Sequence, residues 1–209
     1  ANDGKQWGLI LLPGVYDEQI SQPSATWPIY VKFLAGVSIQ YSGSGAAIQD
    51  DGTGNPFFIE LEAEASVKTT GTGNPAIDVN SSQFTIVGNG IFDLKDAGDL
   101  ITVSGGSLWL ENPLMTNSGP VAGAILNQSG GEVRLFGCHI VSLDSSSAIV
   151  KSGGMLNLDN CRFQCAHTDY ISSSGAESVQ IVDCVSNVAS GAGITETVGT
   201  TLVDAAYTL

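Results

Sequence analysis

Residues 106–112 of the chain read GSLWLEN, and the same pattern returns as GEVRLFG at residues 131–137 and as GMLNLDN at residues 154–160. Two less similar copies, SQFTIVG at residues 82–88 and ESVQIVD at residues 177–183, extend the series in both directions. In every copy, two apolar residues flank a central residue that strand alternation places on the opposite face. The first apolar residues of successive copies lie 24, 25, 23 and 23 positions apart. A regular recurrence of this length indicates a repeat architecture.

The last position of each copy predicts a turn. It holds glycine, asparagine or aspartate in every repeat, at Gly88, Asn112, Gly137, Asn160 and Asp183. Glycine and asparagine tolerate a left-handed backbone, and aspartate does so more weakly. We therefore expect one corner of every repeat to be formed here.

Three of the four cysteines follow directly after this turn. They are Cys138, Cys161 and Cys184, at intervals of 23 residues. Coils stacked about 4.8 Å apart would place them within the Cα distance that a disulfide tolerates. We favour a structural ladder of buried thiols, which pack as small apolar side chains.

These repeats predict an all-β fold, a solenoid that coils as a parallel β-helix with about 23 residues per coil. Helical periodicity is almost absent, and short apolar stretches alternate with Gly, Asn, Ser and Asp. The leucine and asparagine spacing of a leucine-rich repeat is missing. We assign residues 1–36 to an N-terminal leading strand and cap, residues 37–192 to the β-helix, and residues 193–209 to a C-terminal cap or partner-contacting tail.

The acidic stretch at residues 57–67 alternates apolar residues with Glu60, Glu62 and Glu64. This predicts a half-buried strand with an acidic outer face. Such a face either discourages edge pairing, which we favour, or binds a cation together with a neighbouring subunit.

Charge argues against several partners. The chain has 7 Lys and Arg against 21 Asp and Glu, a formal net charge of −14. Phosphate contacts require basic residues, so we expect no nucleic-acid partner and no attraction to an anionic membrane. No run approaches the roughly 18 apolar residues of a membrane-spanning helix. We expect no membrane insertion, no cofactor and no cleavable leader in the sequence.

The segments GLILLPGVY at residues 8–16, GVSI at residues 36–39 and SGSG at residues 42–45 resemble the opening of pectin-lyase-like right-handed β-helices. The pairs Asn160-Cys161 and Asp183-Cys184 are similar to the turn-then-inward step of that superfamily. The resemblance implies a single-stranded right-handed parallel β-helix. It selects no chemistry, because that fold hosts lyases, hydrolases, phage tailspikes and inert virion proteins.

Candidate catalytic residues are Glu111, Arg134 and Asp159, which the repeat alignment places on one exposed face. Glycosidases need two carboxyls, and polysaccharide lyases need calcium-binding acids with a basic residue. The alternative, which we favour, is a surface salt-bridge cluster. We therefore assign no catalytic residue, and enzyme activity stays open.

Other candidate sites are less specific. Trp109, Arg134 and His139 are candidate ligand-binding residues. A loop with Asp93, Asp96 and Asp99 is a candidate calcium site, although a solvated loop is the favoured interpretation. No zinc motif is present.

Val87, Phe136 and Val182 form an apolar outward column, which predicts an oligomer interface unless loop residues cover it. Because phage-spike β-helices associate around a three-fold axis, the resemblance implies a homotrimer.

We predict a non-enzymatic phage virion structural protein. It would be a capsid decoration, a head spike or a tailspike-like receptor-binding module, with other virion proteins and a host surface polysaccharide as candidate partners. Its location would be the virion, assembled in the host cytoplasm. The alternative is a secreted polysaccharide lyase or glycoside hydrolase of the pectin-lyase-like fold.

Overall fold

The computed structural model describes residues 7–21, 28–50, 52, 55–69, 73–95, 98–118, 123–143, 147–174, 178–189, 191 and 201–202. In these residues the chain is all-β and contains no helix, so no helix there could cross a membrane. Three parallel sheets form a β-solenoid of about 6 turns. The prediction of an all-β parallel solenoid is confirmed.

Apart from the last strand, successive strands along the chain belong to sheets A, B and C in turn. Sheet A contains, in spatial order, β1 (Trp7–Leu11), β4 (Ile29–Phe33), β7 (Pro56–Leu61), β10 (Gln83–Gly88), β13 (Ser107–Glu111), β16 (Glu132–Phe136), β19 (Met155–Asp159) and β22 (Val179–Val182). Sheet B contains β2 (Gly14–Tyr16), β5 (Val37–Ile39), β8 (Ser66–Lys68), β11 (Ile91–Leu94), β14 (Leu114–Asn117), β17 (His139–Ser142), β20 (Arg162–Cys165), β23 (Val185–Ser186) and β24 (Thr201–Leu202). Sheet C contains β3 (Ile20–Ser21), β6 (Ile48–Gln49), β9 (Ile77–Val79), β12 (Ile101–Val103), β15 (Leu126–Gln128), β18 (Ile149–Lys151) and β21 (Ile171–Ser173).

Sheet A pairs the five repeat strands in the alignment that the sequence predicts. Leu108 pairs with Val133, and Val133 pairs with Leu156. The residues at both apolar positions of each strand are buried or half-buried and join one continuous core. Burial of each such side chain contributes about 1.5–3 kcal/mol, so the stacked apolar positions are the main source of stability.

The N-terminal strands belong to the solenoid. Strands β1, β2 and β3 pair in parallel with β4, β5 and β6. The segment assigned to a leading strand and cap therefore supplies the first strand of every sheet. Of residues 193–209 only β24 is described, and it pairs with β23.

The predicted corner between sheets A and B is confirmed. Positive φ angles occur at Asn112 (65°), Asn160 (52°) and Asp183 (50°), and at the glycines of the same column, Gly88 and Gly137. The backbone at this position leaves sheet A in a left-handed conformation, which explains the residue types found there.

The prediction of one continuous strand at residues 57–67 is wrong. Strand β7 ends at Leu61, the chain turns through Glu64 with φ 70°, and β8 begins at Ser66. The apolar alternation of the sequence does not reveal this corner: Ala63 is exposed in the turn, whereas Leu61 of sheet A and Val67 of sheet B are both buried in one core.

Buried polar side chains support the corners between sheets C and A. Gln128 Nε2 donates to the Met155 carbonyl oxygen at 2.9 Å, and Lys151 Nζ donates to the Gly154 carbonyl oxygen at 2.8 Å. Gly131 in such a corner has φ +64°, and a Cβ there would lie 2.6 Å from two backbone oxygens. These corners fix where β16 and β19 begin on sheet A.

Asp50 supports an earlier corner of this kind and is only 4% exposed. Its carboxylate accepts hydrogen bonds from the backbone N–H groups of Gly52, Asn80, Ser81 and Ser82, and from the Ser82 hydroxyl. Burial raises the pKa of this carboxyl, but the hydrogen bonds outweigh burial and lower the pKa to about 2. The ionised carboxylate therefore ties one coil to the next.

Candidate functional site: the outer face of sheet A

Strand alternation arranges the outward side chains of sheet A in columns that run along the solenoid axis, and two of these columns carry the candidate residues of this face. The tryptophan column contains Tyr30, Phe58, Thr85, Trp109, Arg134, Asn157 and Gln180. The phenylalanine column contains Lys32, Glu60, Val87, Glu111, Phe136, Asp159 and Val182. Because the backbone ladder sets both columns, their side chains are held at regular spacing.

The two columns border two adjoining depressions, which we call the sheet A groove. The larger one, of about 380 Å³, is lined by residues of β13, β16, β19 and β22, including Phe136, Met155, Asn157 and Asp159. The smaller one, of about 270 Å³, lies towards β10. Both depressions are lined by Trp109 and Arg134, which stand between them.

Trp109 is the large aromatic side chain of the groove and is 40% exposed. The Arg134 guanidinium carbon lies 5.9 Å from the centroid of the indole ring, within cation–π range. Arg134 Nε donates to Glu132 Oε1 at 2.7 Å, an ion pair within strand β16. Arg134 is thus held beside Trp109 by a carboxylate on its own strand.

The three candidate catalytic residues share this face, but no described ion pair links Arg134 to Glu111 or Asp159. Glu111 and Asp159 flank Phe136 in the phenylalanine column, two strand spacings or about 10 Å apart along the column. The described ion pair of Arg134 is with Glu132, and neither candidate carboxylate takes part in it. The face therefore presents two separated acids without the basic partner that the sequence suggested.

His139 does not join the other two candidate ligand-binding residues. It lies on strand β17 of sheet B, where its Nε2 is 3.1 Å from Gln164 Oε1. Trp109 and Arg134 lie on sheet A. The structure brings together two of the three residues, and the corner separates the third.

The candidate oligomer interface is less apolar than expected. Val87, Phe136 and Val182 do share one outward column, but Glu111 and Asp159 alternate with them. Phe136 is 38% exposed and, like Val182, lines the groove. The same surface thus carries the candidate interface and the candidate ligand residues.

The candidate calcium loop is only partly described, because Asp96 lies outside the described residues. Asp93 pairs with Lys95 at 3.1 Å, and Asp99 accepts hydrogen bonds from the Ala124 N–H and the Asn127 side chain. Among the residues that the structure describes, no group of three potential metal ligands comes together.

All four cysteines are buried free thiols. The Cys161 thiol donates to the Leu135 carbonyl oxygen at 3.3 Å. Hydrogen bonding to Cys138 and burial raise the pKa of Cys161, and hydrogen bonding to Cys161 and burial raise that of Cys184. Burial raises the pKa of Cys165 to about 12. Thiols in this state are unreactive, and the role they support is packing.

The N-terminal half of the same face has its polar groups already paired. Lys32 Nζ lies 2.8 Å from Glu60 Oε1 and 3.1 Å from Glu62 Oε1, and the Tyr30 hydroxyl donates to Glu60. Tyr30 also stacks on Phe58, with ring centroids 5.3 Å apart. In contrast, Asn157 and Gln180 in the groove have no side-chain hydrogen bond to another described residue.

Sequence reasoning did not single out Met155, Asn157 and Gln180 as groove residues. The repeat pattern could have identified Asn157 and Gln180 as outward residues of the same face as Trp109, because they are the central residues of the fourth and fifth copies. Met155 lies two positions before Asn157 in the fourth copy, so strand alternation places both on the same outward face.

Comparisons with known proteins add no family to this geometry. No protein-family model matches the chain, no curated protein matches it, and no solved structure matches it. The resemblance to pectin-lyase-like β-helices therefore stays a prediction.

Proposed function

We propose that the protein is a non-enzymatic virion structural protein of phage-spike type that contacts a host polysaccharide through the sheet A groove. The observation that carries the proposal is the groove itself. A large exposed indole stands between two depressions, and the amide side chains of Asn157 and Gln180, which form no hydrogen bond with another described residue, lie two and three strands further along the same column. Saccharides combine apolar ring faces with many hydroxyl groups, so an aromatic platform beside amides suits them.

The rigid ladder supports a binding role. Every groove residue projects from a strand paired on both sides or from β22 at one end, so little conformational entropy is lost when a ligand binds. A right-handed coil, which the resemblance implies, with the length of about 23 residues that the repeats predict, is part of the same proposal.

The geometry favours binding over catalysis. A general acid of the glycosidase type is an enclosed carboxyl. Asp159 is exposed and Glu111 is half-buried on an open face. Arg134, the candidate base of a lyase, is already paired with Glu132.

A homotrimer, which the resemblance implies, is also proposed, with Val87, Phe136 and Val182 as the candidate contact. Because this column borders the groove, subunit packing there would cover part of the ligand surface. Trp109→Ala on the tryptophan column therefore tests binding, and Phe136→Asp on the phenylalanine column tests assembly.

The test combines an array of bacterial surface polysaccharides, an assay for reducing-end or unsaturated products, and light scattering for mass. We expect binding to at least one polysaccharide, no product release, and a mass near three times 21.5 kDa. Trp109→Ala should abolish binding, whereas Leu143→Ala, an exposed apolar side chain outside the groove, should not. Product release would favour the enzyme alternative, and binding to no polysaccharide would refute the recognition role.

A further inference from the structure

The sheet A groove has the dimensions of a polymer site. It extends from β10 to β22, which is four strand spacings or about 19 Å along the solenoid axis. The side chains of each column repeat at the strand spacing, a length comparable to one sugar unit. A saccharide chain lying along the axis would therefore meet an outward side chain at each unit.

The charge of the groove restricts that saccharide. Among the described residues that line it, Arg134 is the only basic one. The guanidinium of Arg134 forms an ion pair with Glu132, with 2.7 Å between the nitrogen and the carboxylate oxygen. Asp159 lines the larger depression, and no described residue pairs with it. The groove is therefore net negative, within a chain of net charge −14.

The neutral side chains of the groove also favour an uncharged saccharide. Asn157 and Gln180 offer amide donors and acceptors to hydroxyl groups, and neither has a side-chain hydrogen bond in the part of the chain that is described. Met155 is an exposed apolar side chain that suits the C–H faces of sugar rings.

We propose that the sheet A groove selects an uncharged saccharide chain and rejects chains that carry carboxylates, with Asp159 as the discriminating residue. This inference rests on the proposed function. An anionic sugar would bring its carboxylate towards Asp159 with no free cation to meet it, and like charges at contact distance disfavour binding even in water. Trp109 supplies affinity, and Asp159 supplies selectivity.

The test uses matched ligands. The strongest neutral polysaccharide on the array is compared with the same polysaccharide oxidised at its primary hydroxyls to the uronate form, and any acidic binder is compared with its carboxyl-reduced form. We expect the neutral form to bind about fivefold more tightly in each pair. Asp159→Asn should narrow this difference, whereas Asp78→Asn on sheet C should leave it unchanged.

The outcomes separate the two proposals. Tighter binding of the uronate form, or an unchanged difference in Asp159→Asn, would overturn the charge selectivity and leave the recognition role intact. No binding of either form of any pair would refute the proposed function itself. Circular dichroism of Asp159→Asn establishes that the variant is folded.

Discussion

Replacing Asp50 by asparagine removes the carboxylate that joins two coils. The native carboxylate accepts five hydrogen bonds, four of them from backbone N–H groups. Asparagine has one acceptor oxygen in place of two. Its NH₂ group would point at backbone N–H groups, and two donors cannot form a hydrogen bond with each other. Folding lowers the pKa of Asp50 from the ordinary value of 3.8 to about 2. Since one pKa unit corresponds to about 1.4 kcal/mol, ionised Asp50 stabilises the folded state by about 2 kcal/mol.

The sign of the pH dependence follows from this lowered pKa. The contribution of Asp50 is fully present above its unfolded pKa of 3.8 and is lost as pH falls through about 2. At neutral pH we expect Asp50→Asn to lose about 2 kcal/mol of unfolding free energy, or about 4–8 °C in Tm. Between about pH 4 and about pH 2 the wild-type protein loses the stabilisation that ionised Asp50 provides, which the variant never has. The unfolding free energies of the two proteins should therefore converge.

The assay is urea unfolding at a series of pH values, with Asp159→Asn as the charge-matched control. Asp159 is an exposed carboxylate, so its removal should change stability by about 0.5 kcal/mol or less. A constant difference between wild type and Asp50→Asn across the acidic range would refute the reasoning. So would the same convergence in Asp159→Asn.

Three further predictions concern packing, backbone and assembly. Cys161→Ala should lower the free energy of unfolding in urea by about 1 kcal/mol and leave polysaccharide binding unchanged, because the thiol is a small group in the core. Loss of binding without a loss of stability would contradict this prediction. Gly131→Ala should destabilise the fold by more than about 1 kcal/mol, because the φ of Gly131 is +64° and an added Cβ would meet backbone oxygens. Asn160→Gly should change the stability by no more than about 0.5 kcal/mol, because glycine accepts the same positive φ. Equal losses of stability in the thermal unfolding of the two variants would argue against the corner geometry. Phe136→Asp should reduce the solution mass measured by light scattering from trimer to monomer, and an unchanged mass would exclude this column as the trimer contact.

The repeat pattern predicted sheet A well because one physical rule governs it. Inward apolar residues must stack on their counterparts one coil away, so the alignment of Leu108, Val133 and Leu156 sets the pairing of their strands. The corner at Asn160 was predictable for a similar reason, since few residue types accept its positive φ.

Other features depended on contacts that a sequence pattern does not encode. The break after Leu61 is hidden because apolar residues continue at alternate positions of the sequence, although Ala63 is exposed in the turn. Four of the five hydrogen bonds that Asp50 accepts come from residues about thirty positions later, where the first, less regular coils give no alignment. Arg134 was expected to meet Glu111 or Asp159, but Glu132 is closer on its own strand.

The central claim is that a saccharide binds beside Trp109 on the outer face of sheet A. The direct measurement is fluorine NMR of protein carrying 5-fluorotryptophan, with the Trp109 resonance assigned from Trp109→Phe, during titration with the strongest-binding polysaccharide of the array. We predict that the Trp109 resonance shifts and saturates, while the resonances of Trp7 and Trp27 stay in place. Saturable binding that leaves the Trp109 resonance unmoved would contradict the account.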